Sequence, residues 1–204
     1  MEILVVGADR GVGSLLPGGA LVRGHVVTVF GPATAVATAG ARIIAGELAD
    51  LPALAAAVAG RNAVLYAVEP AARGDGDAPV ARGVRAVVRA MRDEGARRLV
   101  CLSVGDLGAS GRPGLAARLF GGSRGERALA EVRQMEVAVR QSGLDWTIVR
   151  VAALNDRPGK HSWRTAPGYA VPHGAAIARA DVAEFMLGQL DGRADVGHAV
   201  AIAW

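Results

Sequence analysis

Several residue types and patterns are scarce in this 204-residue chain, and each scarcity excludes something. There is one cysteine, Cys101, set in the apolar run Leu99-Val100-Cys101-Leu102. A disulfide framework and a thiolate metal cluster are therefore ruled out, and the thiol reads as buried and inert. No apolar stretch approaches the roughly 20 residues of a membrane-spanning helix, and no charged start leads into an apolar core and cleavage site. A cytoplasmic protein that makes no membrane contact is expected. Lysine is nearly missing: Lys160 stands alone, so arginine carries almost all the basic charge behind the net +4. Those arginines are scattered and lack interleaved aromatics, which argues against nucleic acid as a partner. With aromatics at 4%, the core must be built from Val, Leu, Ala and Ile. No His-Glu-x-x-His, Gly-x-Ser-x-Gly elbow or clustered ligand set occurs, so no metal site is expected.

What is present begins at the N-terminus. The apolar run Ile3-Leu4-Val5-Val6 passes into Gly7-Ala8-Asp9-Arg10-Gly11-Val12-Gly13, then a helix-like piece over 14–23, a stop at Gly24 and a second apolar run over 26–30. Strand, glycine turn, helix and strand in this order form the βαβ unit of a dinucleotide-binding fold. Gly7 serves the sharp turn off the strand, Gly11 the approach of backbone to a pyrophosphate, and Gly13 the close packing of helix on sheet. Pro17-Gly18-Gly19 falls within the helix and predicts that it is short or kinked.

The remaining chain alternates strands near 41–45, 63–68, 98–103, 144–149 and 198–202 with helices near 51–58, 80–94, 126–141 and 180–190. That alternation predicts an α/β fold: one Rossmann-like, doubly wound parallel sheet forming a single domain over residues 1–204. Two stretches, about 105–125 and 155–174, are rich in glycine, proline or histidine and are expected to form loops on the substrate side. Ligands of such sheets bind beyond the carboxyl ends of the strands, where strand order reverses. The residues after the first, fourth, fifth and sixth strands should thus line one cleft.

Three stretches carry a resemblance. Gly7 to Gly13 is similar to the glycine turn of the short-chain dehydrogenase/reductase superfamily. Ser142-Gly143-Leu144-Asp145-Trp146-Thr147-Ile148-Val149-Arg150 and Ile177-Ala178-Arg179-Ala180-Asp181-Val182-Ala183 resemble segments of its atypical branch, the NmrA-like and biliverdin/flavin-reductase-like proteins. The resemblance implies an NAD(P)H-binding protein with Gly7, Asp9, Arg10, Gly11, Val12, Gly13, Glu47, Leu48, Val68 and Ser103 around the cofactor. It also exposes departures. Where catalytic members carry a Tyr-x-x-x-Lys pair, this chain has Ala128 and Val132, and its tyrosines, Tyr66 and Tyr169, lie elsewhere. Proton-handling candidates are then Ser103, His161 and His173. The second strand ends Phe30-Gly31-Pro32 with no acid for a ribose 2′-hydroxyl, and Arg10 sits where a 2′-phosphate would be met. NADP(H) is favoured over NAD(H), and a cofactor-free cleft is the alternative. The expected activity is reduction of a small conjugated carbonyl, quinone, flavin or polyketide-type aromatic acceptor by a monomer or homodimer. Alternatives are a non-redox cyclase, epimerase or dehydratase of natural-product biosynthesis, or a dinucleotide-sensing regulator.

Overall fold

The computed structural model describes residues 1–32, 38–69, 79–105, 122–167 and 176–204. The first βαβ unit is β1 (Glu2–Val6), α1 (Leu16–Val22) and β2 (Val26–Gly31), with a 3₁₀ turn, Gly13–Leu15, leading into α1. Next come β3 (Arg42–Ala45), α2 (Leu51–Val58), β4 (Ala63–Tyr66), α3 (Pro79–Glu94) and β5 (Arg98–Val104). The chain closes with α4 (Gly122–Arg140), β6 (Asp145–Val151), β7 (Ala153–Asn155), β8 (Arg164–Pro167), β9 (Ala176–Ala178), α5 (Arg179–Asp191) and β10 (His198–Ala203).

Eight strands form the main sheet in the order β3-β2-β1-β4-β5-β6-β10-β8, and β7 pairs with β9 in a separate two-stranded ribbon. Every pairing in the main sheet is parallel except that of β8 with β10. Because β1 pairs with both β2 and β4, the order reverses there and opens a crevice between their carboxyl ends. Alternation along β1 explains the layering. Ile3 and Val5 face a core shared with α1 and α5, whereas Leu4 and Val6 face one shared with α2, α3 and α4. Strands buried on both faces read as continuous apolar runs, which is why β1, β4 and β5 were legible.

First, the helix after the glycine turn is short as expected, seven residues behind a 3₁₀ turn, and Pro17 falls within the first two positions of α1, where its missing N–H lies among donors that no helical carbonyl reaches. Gly19 is small for a packing reason, since a Cβ there would lie 2.7 Å from Leu187 Cδ1 on α5. Second, the 155–174 stretch is not wholly irregular: β8 adds an antiparallel edge strand. Its polar composition and Pro167 hide it from a periodicity reading, yet an edge strand tolerates both. Third, α4 starts at Gly122 rather than Glu126. Residues 106–121, most of the first expected loop, lie outside the described residues.

Candidate functional site

The crevice at the β1/β4 reversal begins with Gly7. Its φ is +90°, and a Cβ there would come within 2.8 Å of the Ala67 carbonyl carbon and Val68 nitrogen, so only glycine lets the chain turn so close to the end of β4. Gly11 is also in the left-handed region, with φ +59°. Beside this turn lies a cavity of about 360 Å³, within the range of small-ligand sites. Gly7, Asp9, Arg10, Glu47, Leu48 and Val68, all expected around a cofactor, line it. Gly31, Pro32 and Gly46 leave the opening beyond β2 and β3 without large side chains, and Arg82 of α3 forms part of its wall. The guanidinium-bearing residues Arg10 and Arg82 give one part of its lining a basic character.

The turn itself faces an anion supplied by the chain. Glu69, three residues past β4, places its carboxylate against Gly11, where any side chain on that residue would collide with it. The Val12 N–H donates to Glu69 Oε1 at 2.8 Å. Arg10 donates to the Glu69 backbone carbonyl at 3.2 Å, and Arg179 Nη2 stands 3.5 Å from Glu69 Oε2. Arg179 also pairs with Asp156 at 2.7 Å, so the first residue of α5 joins the glycine turn to the loop after β7.

Ser103 lies elsewhere. It is buried near the end of β5 and donates to Glu136 Oε1 of α4 at 2.8 Å. Arg150 of β6 grips the same carboxylate, through Nε to Oε1 at 2.7 Å and through Nη2 to Oε2. With its proton directed inward at Glu136, Ser103 can offer a ligand only a lone pair. His161 is exposed and bound to α5 rather than to Ser103. Its Nδ1 lies 2.7 Å from Glu184, and that hydrogen bond and charge raise its pKa above the ordinary 6.5. Its φ of +52° is held by Asp181, a buried carboxylate that accepts from the backbone N–H groups of Lys160 and His161 and from the Trp204 indole at 2.6 Å. Burial opposes ionisation of Asp181, but these three donors outweigh it and lower its pKa. Asp181 thus fastens the loop instead of capping α5. The carboxylates of Asp181 and Glu184 and the His161 ring come within 4.8 Å of one another. The donors already on Asp181 account for the cluster without an ion. His173 and Tyr169 fall outside the described residues.

Tyr66 is the last residue of β4. It is buried, donates to the Val80 carbonyl at 2.8 Å, and burial pushes its pKa far upward. Cys101 is fully buried and its thiol pKa is likewise raised by burial, in keeping with an inert core thiol. Sequence reasoning overlooked Glu69, Glu136, Arg150 and Arg179 as site residues. Two signals were available: an acid at the mouth of β4, and an arginine inside the buried strand Ile148-Val149-Arg150-Val151, which demands an acidic partner.

Comparison with solved structures gives the same architecture. A short-chain dehydrogenase/reductase from Veillonella parvula in complex with NADP aligns with a TM-score of 0.81 at 18% identity, covering 100% of this chain and 94% of that one. An anaerobilin reductase from Escherichia coli O157:H7 aligns at 0.80 and 21% identity, covering 100% and 97%. A Rossmann-fold NAD(P)-binding family protein from Shigella flexneri aligns at 0.74 and 21%, covering 98% and 92%. No curated protein matches the sequence. Among the described residues no helix is long and apolar enough to cross a membrane. The family model described as NAD(P)H-binding matches residues 7–193, from the first glycine of the turn to just beyond α5, and the chain belongs to that family.

Proposed function

We propose that this protein is an NADPH-dependent reductase of a conjugated carbonyl, quinone, flavin or polyketide-type aromatic acceptor. The observation that carries the reading is the cavity at the strand-order reversal, formed around a positive-φ glycine turn in a chain of the NAD(P)H-binding family. Gly7, Leu48 and Val68 would enclose the adenosine, and Arg10 with Arg82 would meet the 2′-phosphate, because Gly31 and Pro32 provide no acid for a 2′-hydroxyl. The solved reductase and the NADP complex among the structural neighbours support the choice. When bound, the nicotinamide supplies a hydride. The protein's part is to orient it and keep the acceptor flat against it. A conjugated acceptor spreads the incoming charge and asks little of a general acid, which accommodates Ala128 and Val132 in place of the usual pair. Since Ser103 donates inward to Glu136, we assign the balancing proton to water at the mouth of the cleft.

Calorimetric titration with NADPH, NADH and NADP⁺, repeated on Arg10→Ala, tests the reading. Micromolar NADPH binding that weakens in the variant supports it, and no binding of any of the three refutes it. The position of Glu69 on the Val12 N–H favours a second reading, a cofactor-free isomerase or cyclase, and that reading would then take its place.

A further inference from the structure

A turn with positive-φ glycines aims backbone N–H groups into a concavity that binds anions. In this chain the Val12 N–H points at Glu69 Oε1, and the carboxylate fills the space that the absent Gly11 side chain leaves. A diphosphate approaching that turn would need the same donor and the same volume. Two anions cannot share them.

The structure also provides somewhere for the carboxylate to go. Arg179 Nη2 is 3.5 Å from Glu69 Oε2, longer than a good ionic hydrogen bond. Arg179 Nε is buried and has no hydrogen-bond partner among the described residues. Rotation of the Glu69 side chain toward α5 would exchange the Val12 N–H for that unused donor, while Arg179 keeps Asp156 through Nη1.

We propose that Glu69 is a built-in competitor for the cofactor's diphosphate, holding the glycine turn in the empty protein and yielding it by turning onto Arg179. The inference rests on the NADPH reading above. It makes dinucleotide affinity a balance between two anions for one site, so the protein holds its cofactor weakly and exchanges it readily.

The test is calorimetry on the full chain, wild type, Glu69→Gln and Glu69→Ala, with adenosine, ADP and NADPH as probes. Glutamine keeps the shape of the side chain and its hydrogen-bonding oxygen, so this variant should fold, which a thermal melt verifies. Removing the charge should tighten ADP and NADPH by on the order of ten- to a hundred-fold, the effect of one like-charge contact near 4 Å at intermediate dielectric. Adenosine, which has no phosphate, should be unaffected. Arg179→Met should weaken NADPH binding in the wild type and do so less in Glu69→Gln. ADP and NADPH affinities that stay the same or fall in both Glu69 variants overturn the proposal while leaving the NADPH reading intact. An equal gain for adenosine also overturns it, because the effect would then be space and not charge. Absence of binding by wild type and both variants removes the NADPH reading and this inference with it.

Discussion

Glu136 and Arg150 form an ion pair whose side chains are each 6% exposed, between α4 and β6, and Ser103 supplies a further hydrogen bond. Removing one member takes a buried ionic partner from the other. Arg150→Met should leave the Glu136 carboxylate buried with Arg140, a half-exposed neighbour at 3.7 Å, as its nearest compensation, and should cost about 3–5 kcal/mol. Glu136→Leu leaves an arginine buried without its acid and should cost a similar amount. The double variant buries no charge. Its expected cost is about 1–2 kcal/mol, mostly the Ser103 hydroxyl losing its acceptor and imperfect packing. The coupling obtained from the cycle is then at least about 4 kcal/mol, well above the few tenths found between independent sites. For a chain of this size each single variant should lower Tm by roughly 6–20 °C, with the double falling much less. Urea unfolding followed by circular dichroism on all four proteins measures it. Costs that simply add in the double variant would refute the argument, because they would mean that neither charge depends on the other for its burial.

Two further outcomes are expected. Arg98, buried at the start of β5, donates to the carbonyls of Gln189 and Asp145 and to the Thr147 hydroxyl at 2.8 Å each. Arg98→Met should cost about 3 kcal/mol through acceptors left unsatisfied, and a loss below about 1 kcal/mol in a denaturation series would contradict this. His161 has its pKa raised by Glu184, so its contact contributes stability that is complete below the ordinary 6.5 and disappears as pH rises through the raised value. An NMR titration should show that pKa falling in Glu184→Gln, and wild-type stability should decline more than the variant's as pH rises above 6.5; equal declines would dismiss the contact.

The parts of the fold most legible in the sequence were those governed by local pattern. β1, β4 and β5 are built on the apolar runs 3–6, 63–66 and 99–102, α2 was placed over the residues it occupies, and α3 displays its buried stripe Val84, Val87, Val88 and Met91. β8 was missed because it gains its partner, β10, from a segment more than thirty residues away and has no alternation of its own. The site divided along the same line. The glycine turn, Glu47, Leu48 and Val68 were readable because the motif and strand ends specify their position. The pairing of Glu69 with Val12 and of Glu136 with Arg150 depends on which elements the topology brings together, and no spacing in the chain encodes that. The separation of Ser103 from His161 is of the same kind: one belongs to the α4 face of the sheet, the other to the loop fastened on α5.

The two ends of the main sheet bear on how this chain can associate. β3 is four residues long and carries Arg42, and β8 is four residues long and carries Arg164, Thr165 and Pro167. Short strands with charge or proline present few unpaired backbone groups in line, and they discourage a second strand from docking alongside. The sheet therefore offers no ready template at which another copy could continue it. Pairing of β3 or β8 with a second copy is thus the disfavoured way for two such chains to join.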